Sequence, residues 1–100
     1  MNKSWKNLER KIAKIRNTTR TPLSGINSKI TGSDIIDEKF FVECKLRKSS
    51  SIWHLYDKTK QNAVKEKKVP IVVVKQKHKK GELYVIHSDF LDDFIKYWKK

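Results

Sequence analysis

The sequence predicts an α/β sandwich, a mixed central sheet flanked by helices, and three observations carry that reading. Apolar residues recur at helical spacing near 4–16 and again after Ser51. A continuous β-branched run, Ile71-Val72-Val73-Val74, suits a central strand buried on both faces. Between and after these lie short alternating segments of strand type, so the order runs helix, strands, helix, strands, helix.

The first helix is expected from about Ser4 to Arg16. Trp5, Leu8, Ile12 and Ile15 form its apolar stripe, and Lys6, Arg10, Lys11 and Lys14 supply the remaining surface. Glu9 borders the stripe, where it reads either as an exposed glutamate offsetting nearby lysines or as a carboxylate turned towards a site. The offsetting role is worth only about 0.2–0.5 kcal/mol. Asn17-Thr18-Thr19 ends the helix. Residues 20–32 then have a loop composition, with Pro22, Gly25 and Gly32 among Ser, Thr and Asn. Arg20, Lys29 and the small hydroxyls there are good phosphate donors.

Ser33-Asp34-Ile35-Ile36 and Phe41-Val42-Glu43-Cys44-Lys45 read as two strands joined by Asp37-Glu38-Lys39. Alternation places Phe41, Glu43 and Lys45 on one face and Val42, Cys44 and Leu46 on the other. A two-residue turn at Glu38-Lys39 sets Asp34 across from Glu43, and a change of one residue in loop length shifts that register. Two carboxylates and an ammonium in the middle of a hairpin make chemical sense around a divalent cation.

A second helix follows Arg47-Lys48 and the serine run, which offers an N-cap, and Val69-Pro70 is expected to stop it. Ile52, Tyr56, Thr59 and Ala63 make its inner stripe, with Leu55 beside it and Gln61 among the surrounding polar set. Trp53 reads as core or interface and His54 as surface. After the 71–74 strand comes a charged turn closed by Gly81, then a strand at 83–86. A final helix begins at Ser88-Asp89, acidic at its start and lysine-rich at its end, as the helix dipole favours. Phe90, Leu91, Phe94, Ile95 and Trp98 exceed what a small core needs, which points to a dimer interface.

The chain of 100 residues makes one domain, 1–100. Lys+Arg of 24 against Asp+Glu of 11 gives a net charge of +13, which points to a polyanionic partner, nucleic acid before an acidic membrane. The single Cys44 excludes an intrachain disulfide and a cysteine zinc site, and on an apolar face it reads as a buried thiol. Neither a signal-peptide core nor a bilayer-spanning apolar run is present, so an intracellular, cytoplasmic protein is expected.

Asp34 followed by Glu43-Cys44-Lys45 resembles the Asp…Glu-x-Lys core of the PD-(D/E)XK nuclease superfamily. The upstream Glu9 helix, Arg20-Thr21-Pro22-Leu23-Ser24-Gly25 and Gln61 extend that likeness. Together they resemble the small Holliday junction resolvases of archaea, their viruses and some phages, over roughly Trp5 to Val74. Ser33 stands where the superfamily name has proline. The resemblance implies a restriction-endonuclease-like αβββαβ core and a structure-selective, metal-dependent DNA endonuclease cutting four-way junctions as a homodimer, in the host cytoplasm if viral. It implies that Asp34, Glu43 and the Cys44 main-chain carbonyl hold Mg²⁺, with Mn²⁺ able to substitute. Lys45 would orient water or neutralise charge, Glu9 would serve a second metal or its water shell, and Gln61 would assist. Ser24 and Arg20 would touch DNA, and Arg10, Lys29, Arg47 and Lys48 add basic contacts along the chain. Two other functions fit the residues: a non-catalytic basic nucleic-acid-binding module, and a flap or single-strand nuclease on the same fold.

Overall fold

The computed structural model describes residues 3–22, 31–46 and 51–99, and the side chains of residues 3–5 and 46 lie outside that description. Helix α1 spans Lys3–Ile15, strand β1 Phe40–Leu46, helix α2 Ile52–Lys65, strand β2 Val69–Lys75 and strand β3 Leu83–Val85. A 3₁₀ turn at Ser88–Phe90 leads into helix α3, Leu91–Tyr97. The sheet is mixed with order β1-β2-β3. β1 pairs with β2 in parallel, Val42 against Ile71 and Cys44 against Val73, whereas β2 pairs antiparallel with β3.

Alternation along β1 and β2 builds two apolar layers. On one face Phe40, Val42, Cys44, Val69, Ile71 and Val73 pack with Leu8, Ile12 and Ala13 of α1, with Ile35 and with Trp98. On the other face Val72 and Val74 pack with Leu55 and Tyr56 of α2. The chain is therefore a small α/β domain, with α1 and Trp98 on one side of the sheet and α2 on the other. β2 is central and buried from Val69 to Val74, as its β-branched run predicts. Trp98 meets Phe40 edge-on at 5.2 Å and stacks on Phe94 at 5.2 Å, so part of the aromatic load assigned to a dimer interface belongs to the core. Leu91 and Ile95 of that set are exposed.

Both long helices end in the same way. Asn17 takes a left-handed φ of 55°, and the Thr18 and Asn17 amides bond back to Ala13 and Lys14 at 2.9 and 3.0 Å. Lys67 repeats this at φ 57°, with the Lys68 and Lys67 amides bonding back to Ala63 and Val64 at 3.0 and 3.1 Å. These are Schellman closures, which satisfy the last free carbonyls of a helix. α2 therefore stops through its own C-cap three residues before Val69-Pro70, and Pro70 is the second residue of β2. At the other end of α2 the Ser51 hydroxyl accepts from the His54 amide at 3.1 Å, the N-cap the serine run implied.

The expected strand at 33–36 departs from the prediction. Ile35 makes only an isolated antiparallel bridge to Arg20. Asp34 donates its amide to Val42 at 2.8 Å, one residue short of the expected partner Glu43. The cause lies in the turn, where Asp37 Oδ1 accepts from the amides of Lys39 (2.9 Å) and Phe40 (3.0 Å) and replaces a two-residue hairpin. Ser33 then fills a ladder position with its side chain, its Oγ accepting from the Val42 amide at 2.9 Å. Among the described residues no helix is long and apolar enough to cross a membrane.

Candidate functional site

The open edge of β1, the one turned away from β2, is where the candidate residues begin to assemble. The Cys44 amide donates to Asp34 Oδ2 at 2.8 Å, across that edge. In an extended strand the N–H and C=O of one residue leave by the same edge, so the Cys44 carbonyl lies on the Asp34 side too. The Cys44 thiol is buried in the α1-facing layer, and burial pushes its pKa far up, leaving an inert thiol.

Asp34 is buried, and its pKa is raised to about 7. Burial is the largest cause, the Glu43 charge the next, and Glu9 adds to both, while the Cys44 N–H and the Lys45 charge oppose them. The three carboxylates and Lys45 thus share one electrostatic environment although they come from α1, the segment before β1, and β1 itself.

Glu9 has no solvent exposure at all. Its Oε1 accepts from Arg20 Nε at 2.8 Å, while Oε2 is buried with no hydrogen-bond partner. Burial raises its pKa despite the hydrogen bond and charge of Arg20, and the Glu43 charge pushes the same way. Of the two readings for Glu9, the exposed, lysine-offsetting one is therefore removed. Arg20, expected as a DNA contact, has its Nε committed to Glu9.

Glu43 and Lys45 point to the α2 side of the sheet, as alternation predicts. Lys45 Nζ lies 2.9 Å from Glu43 Oε2, and both are partly exposed. They line a cleft with His54, Leu55, Lys58, Thr59 and Asn62. Gln61 is exposed and is not among the lining residues. The helical period explains this: Asn62 is three residues after Thr59 and four after Lys58, on the sheet-facing side, while Gln61 is turned roughly 100° away about the axis. Tracking Leu55, Thr59 and their i+3 neighbours would have singled out Lys58 and Asn62 from the sequence. Trp53 is exposed, with its ring 6.2 Å from His87, and His54 is exposed as expected. Ser24, Lys29, Arg47 and Lys48 lie outside the described residues. Arg10 is exposed, with Nη1 3.2 Å from Asn7 Oδ1.

Among the described residues no group of three or more His, Cys, Asp or Glu side chains is gathered closely enough to hold a metal ion. Asp34 lies at the open edge of β1, Glu43 on the α2-facing side of β1 itself, and Glu9 on α1, held by Arg20. No family model matches the chain, and neither a curated protein nor a solved structure matches it.

Arg16 and Glu66, which carry no periodic signal in the sequence, hold this arrangement up. Arg16, at the end of α1, is buried and pairs with Asp37, Nε to Oδ2 at 2.8 Å and Nη2 to Oδ1 at 3.3 Å. Its Nη1 donates to the carbonyls of Tyr97 and Trp98. The guanidinium also lies 4.6 Å from the centre of the Phe40 ring. At the other end of the 31–36 segment, the Gly32 amide donates to Glu66 Oε2 at 2.8 Å, and Thr31 donates to Glu66 as well. Asp34 is thus held between one clasp on α1 and another on the C-terminus of α2.

Proposed function

We propose that this chain is a Mg²⁺-dependent, structure-selective DNA endonuclease with a restriction-endonuclease-like core of the PD-(D/E)XK type, acting as a homodimer on four-way junctions. The observation that carries the proposal is the shared electrostatic environment of Glu9, Asp34, Glu43 and Lys45 around β1. A buried carboxylate oxygen without a partner and an aspartate whose pKa is raised by burial and then by the Glu43 charge are both costly, and a hard divalent cation would relieve such costs.

In this reading Asp34, Glu43 and the Cys44 carbonyl hold the ion, with Mn²⁺ able to replace Mg²⁺. When bound, the metal lowers the pKa of its water and draws charge from the scissile phosphate. Lys45 exchanges its contact with Glu43 for the attacking water or the developing negative charge on phosphorus. Glu9 would hold a second metal or part of its water shell. Lys58 and Asn62, on the opposite wall of the cleft, position the phosphodiester backbone, whereas Gln61, expected to assist the site, is not in its lining. The net charge of +13 supplies sequence-independent affinity. A twofold dimer matches the two symmetric strands of a junction.

The test is cleavage of a labelled four-way junction beside linear duplex, flap and single strand, each with Mg²⁺, Mn²⁺ or EDTA. Paired, metal-dependent cuts confined to the junction support the proposal, and cuts confined to flaps or single strands keep the nuclease but remove the resolvase. A second reading is favoured by the direct Lys45–Glu43 contact and the lack of a gathered carboxylate trio among the described residues. There the pair is structural and the chain is a non-catalytic nucleic-acid-binding module, which predicts tight binding with no cutting under any metal.

A further inference from the structure

The C-terminal half of α1 carries a second cleft, of about 520 Å³, lined by Arg10, Ala13, Lys14, Asn17, Thr18, Thr19 and Arg20. Arg10 and Lys14 fall on one helix face at i and i+4, and Asn17, which closes the helix, continues the cleft wall. Arg10 and Lys14 are exposed, and the cleft contains three cationic side chains and no carboxylate in its lining. Phosphate oxygens are the complement of such a set, the guanidinium as a fork and the ammonium as a point charge.

Arg20 makes this more than a basic patch. It forms part of the cleft wall and is the sole hydrogen-bond partner the described residues give Glu9, a fully buried carboxylate whose second oxygen has none. The geometry points to a backbone phosphate of bound nucleic acid in this cleft, held by Arg10, Lys14 and Arg20, which draws Arg20 off Glu9 and leaves Glu9 free to turn its charge to the site at β1. The inference deepens the nuclease reading and rests on the chain binding DNA, but needs no cleavage.

The exchange requires that phosphate and Glu9 compete for one guanidinium, and a double-mutant cycle in EDTA measures that. Binding of a fluorescent duplex and a four-way junction is titrated for the native chain, Glu9→Gln, Arg20→Ala and the double variant. Glu9→Gln is expected to tighten binding about fivefold or more in the native background. In the Arg20→Ala background the gain is expected to vanish. An equal gain in both backgrounds, or none in the first, overturns the exchange.

Arg10→Ala and Lys14→Ala alter exposed side chains and carry the test if the Glu9 variant does not fold. Each is expected to lower the slope of log affinity against log salt by about 0.9 on duplex. Unchanged slopes overturn the subsite. Inorganic phosphate titrated alone separates the two sources of the anion. Phosphate binding that Arg10→Ala weakens, with the DNA slope unmoved, assigns the cleft to free phosphate and overturns the nucleic-acid assignment. A chain that binds no DNA at all fails the functional reading itself, while normal salt-sensitive binding with unchanged slopes fails only the subsite.

Discussion

Asp34 and Asp37 stand three residues apart and respond to pH in opposite senses. Asp34 has a folded pKa of about 7 against an ordinary 3.8, so between those values the folded chain keeps a proton the unfolded chain has lost. Each step upward in pH through that window costs stability, and the full penalty stands above pH 7. Thermal unfolding of metal-free protein should therefore show a falling midpoint from pH 5 to pH 8, and Asp34→Asn should flatten the fall. Asp37 is held below 3.8: burial opposes ionisation, but Arg16 and the Phe40 and Lys39 amides outweigh it. Its contribution is fully present above about pH 4 and is lost as pH drops through the folded value. Asp37→Ala leaves Arg16 buried without its carboxylate, and urea titration should record a loss of about 3–5 kcal/mol. For the chemistry, Asp34→Asn and Glu43→Gln should each abolish cleavage while DNA affinity is retained or rises. Lys45→Ala should lose turnover with an unchanged far-UV spectrum, because Lys45 is partly exposed. Cleavage surviving in both carboxylate variants would remove the metal-site assignment.

What the sequence disclosed at the level of elements was whatever periodicity and local residue type control. The α1 stripe and the two faces of β1 follow from repeats of 3.6 and 2, and the Ser51 cap and the buried run of β2 from local residue type. What it concealed was set by single side chains reaching across the chain. The 33–36 register turned on Asp37 accepting two amides and on Ser33 Oγ standing in for a backbone group, neither of which leaves a periodic trace. Arg16 looked like the last basic residue of a basic helix, and only tertiary closure makes it a buried hub. The family resemblance points to Gln61, whereas helix phase puts Lys58 and Asn62 on the cleft wall. The helix ends offer a further check, since Lys67 holds a left-handed φ of 57° without being glycine. Such a conformation costs an L-residue roughly 1–2 kcal/mol, so Lys67→Gly should stabilise the protein by up to about 1 kcal/mol in chemical denaturation, after the added unfolded-state freedom is subtracted.

At the scale of the whole molecule, the α/β class and the mixed sheet were legible, with helices on both faces. Of the candidate site, the proximity of Glu9, Asp34, Glu43 and Lys45 was legible, since their charges act on one another across three segments. Its internal pairing was not, since the Arg20–Glu9 and Lys45–Glu43 contacts depend on which side of a helix and which edge of a strand each residue leaves from. Both contacts occupy the very groups the proposed chemistry needs. If the proposed function holds, substrate and metal would have to rearrange charges already neutralised in pairs.

The Arg16 clasp has a consequence for the protein's birth on the ribosome. Its carbonyl partners, Tyr97 and Trp98, are translated 81 and 82 residues after it, while its carboxylate partner comes only 21 residues later. A nascent chain can bring Asp37 to Arg16 early, yet Phe40 lacks its Trp98 neighbour and the arginine lacks its carbonyls until Trp98 emerges from the exit tunnel. Closure of the α1 side of the sheet therefore waits for Trp98, and until that residue emerges the apolar layer stays open to chaperones.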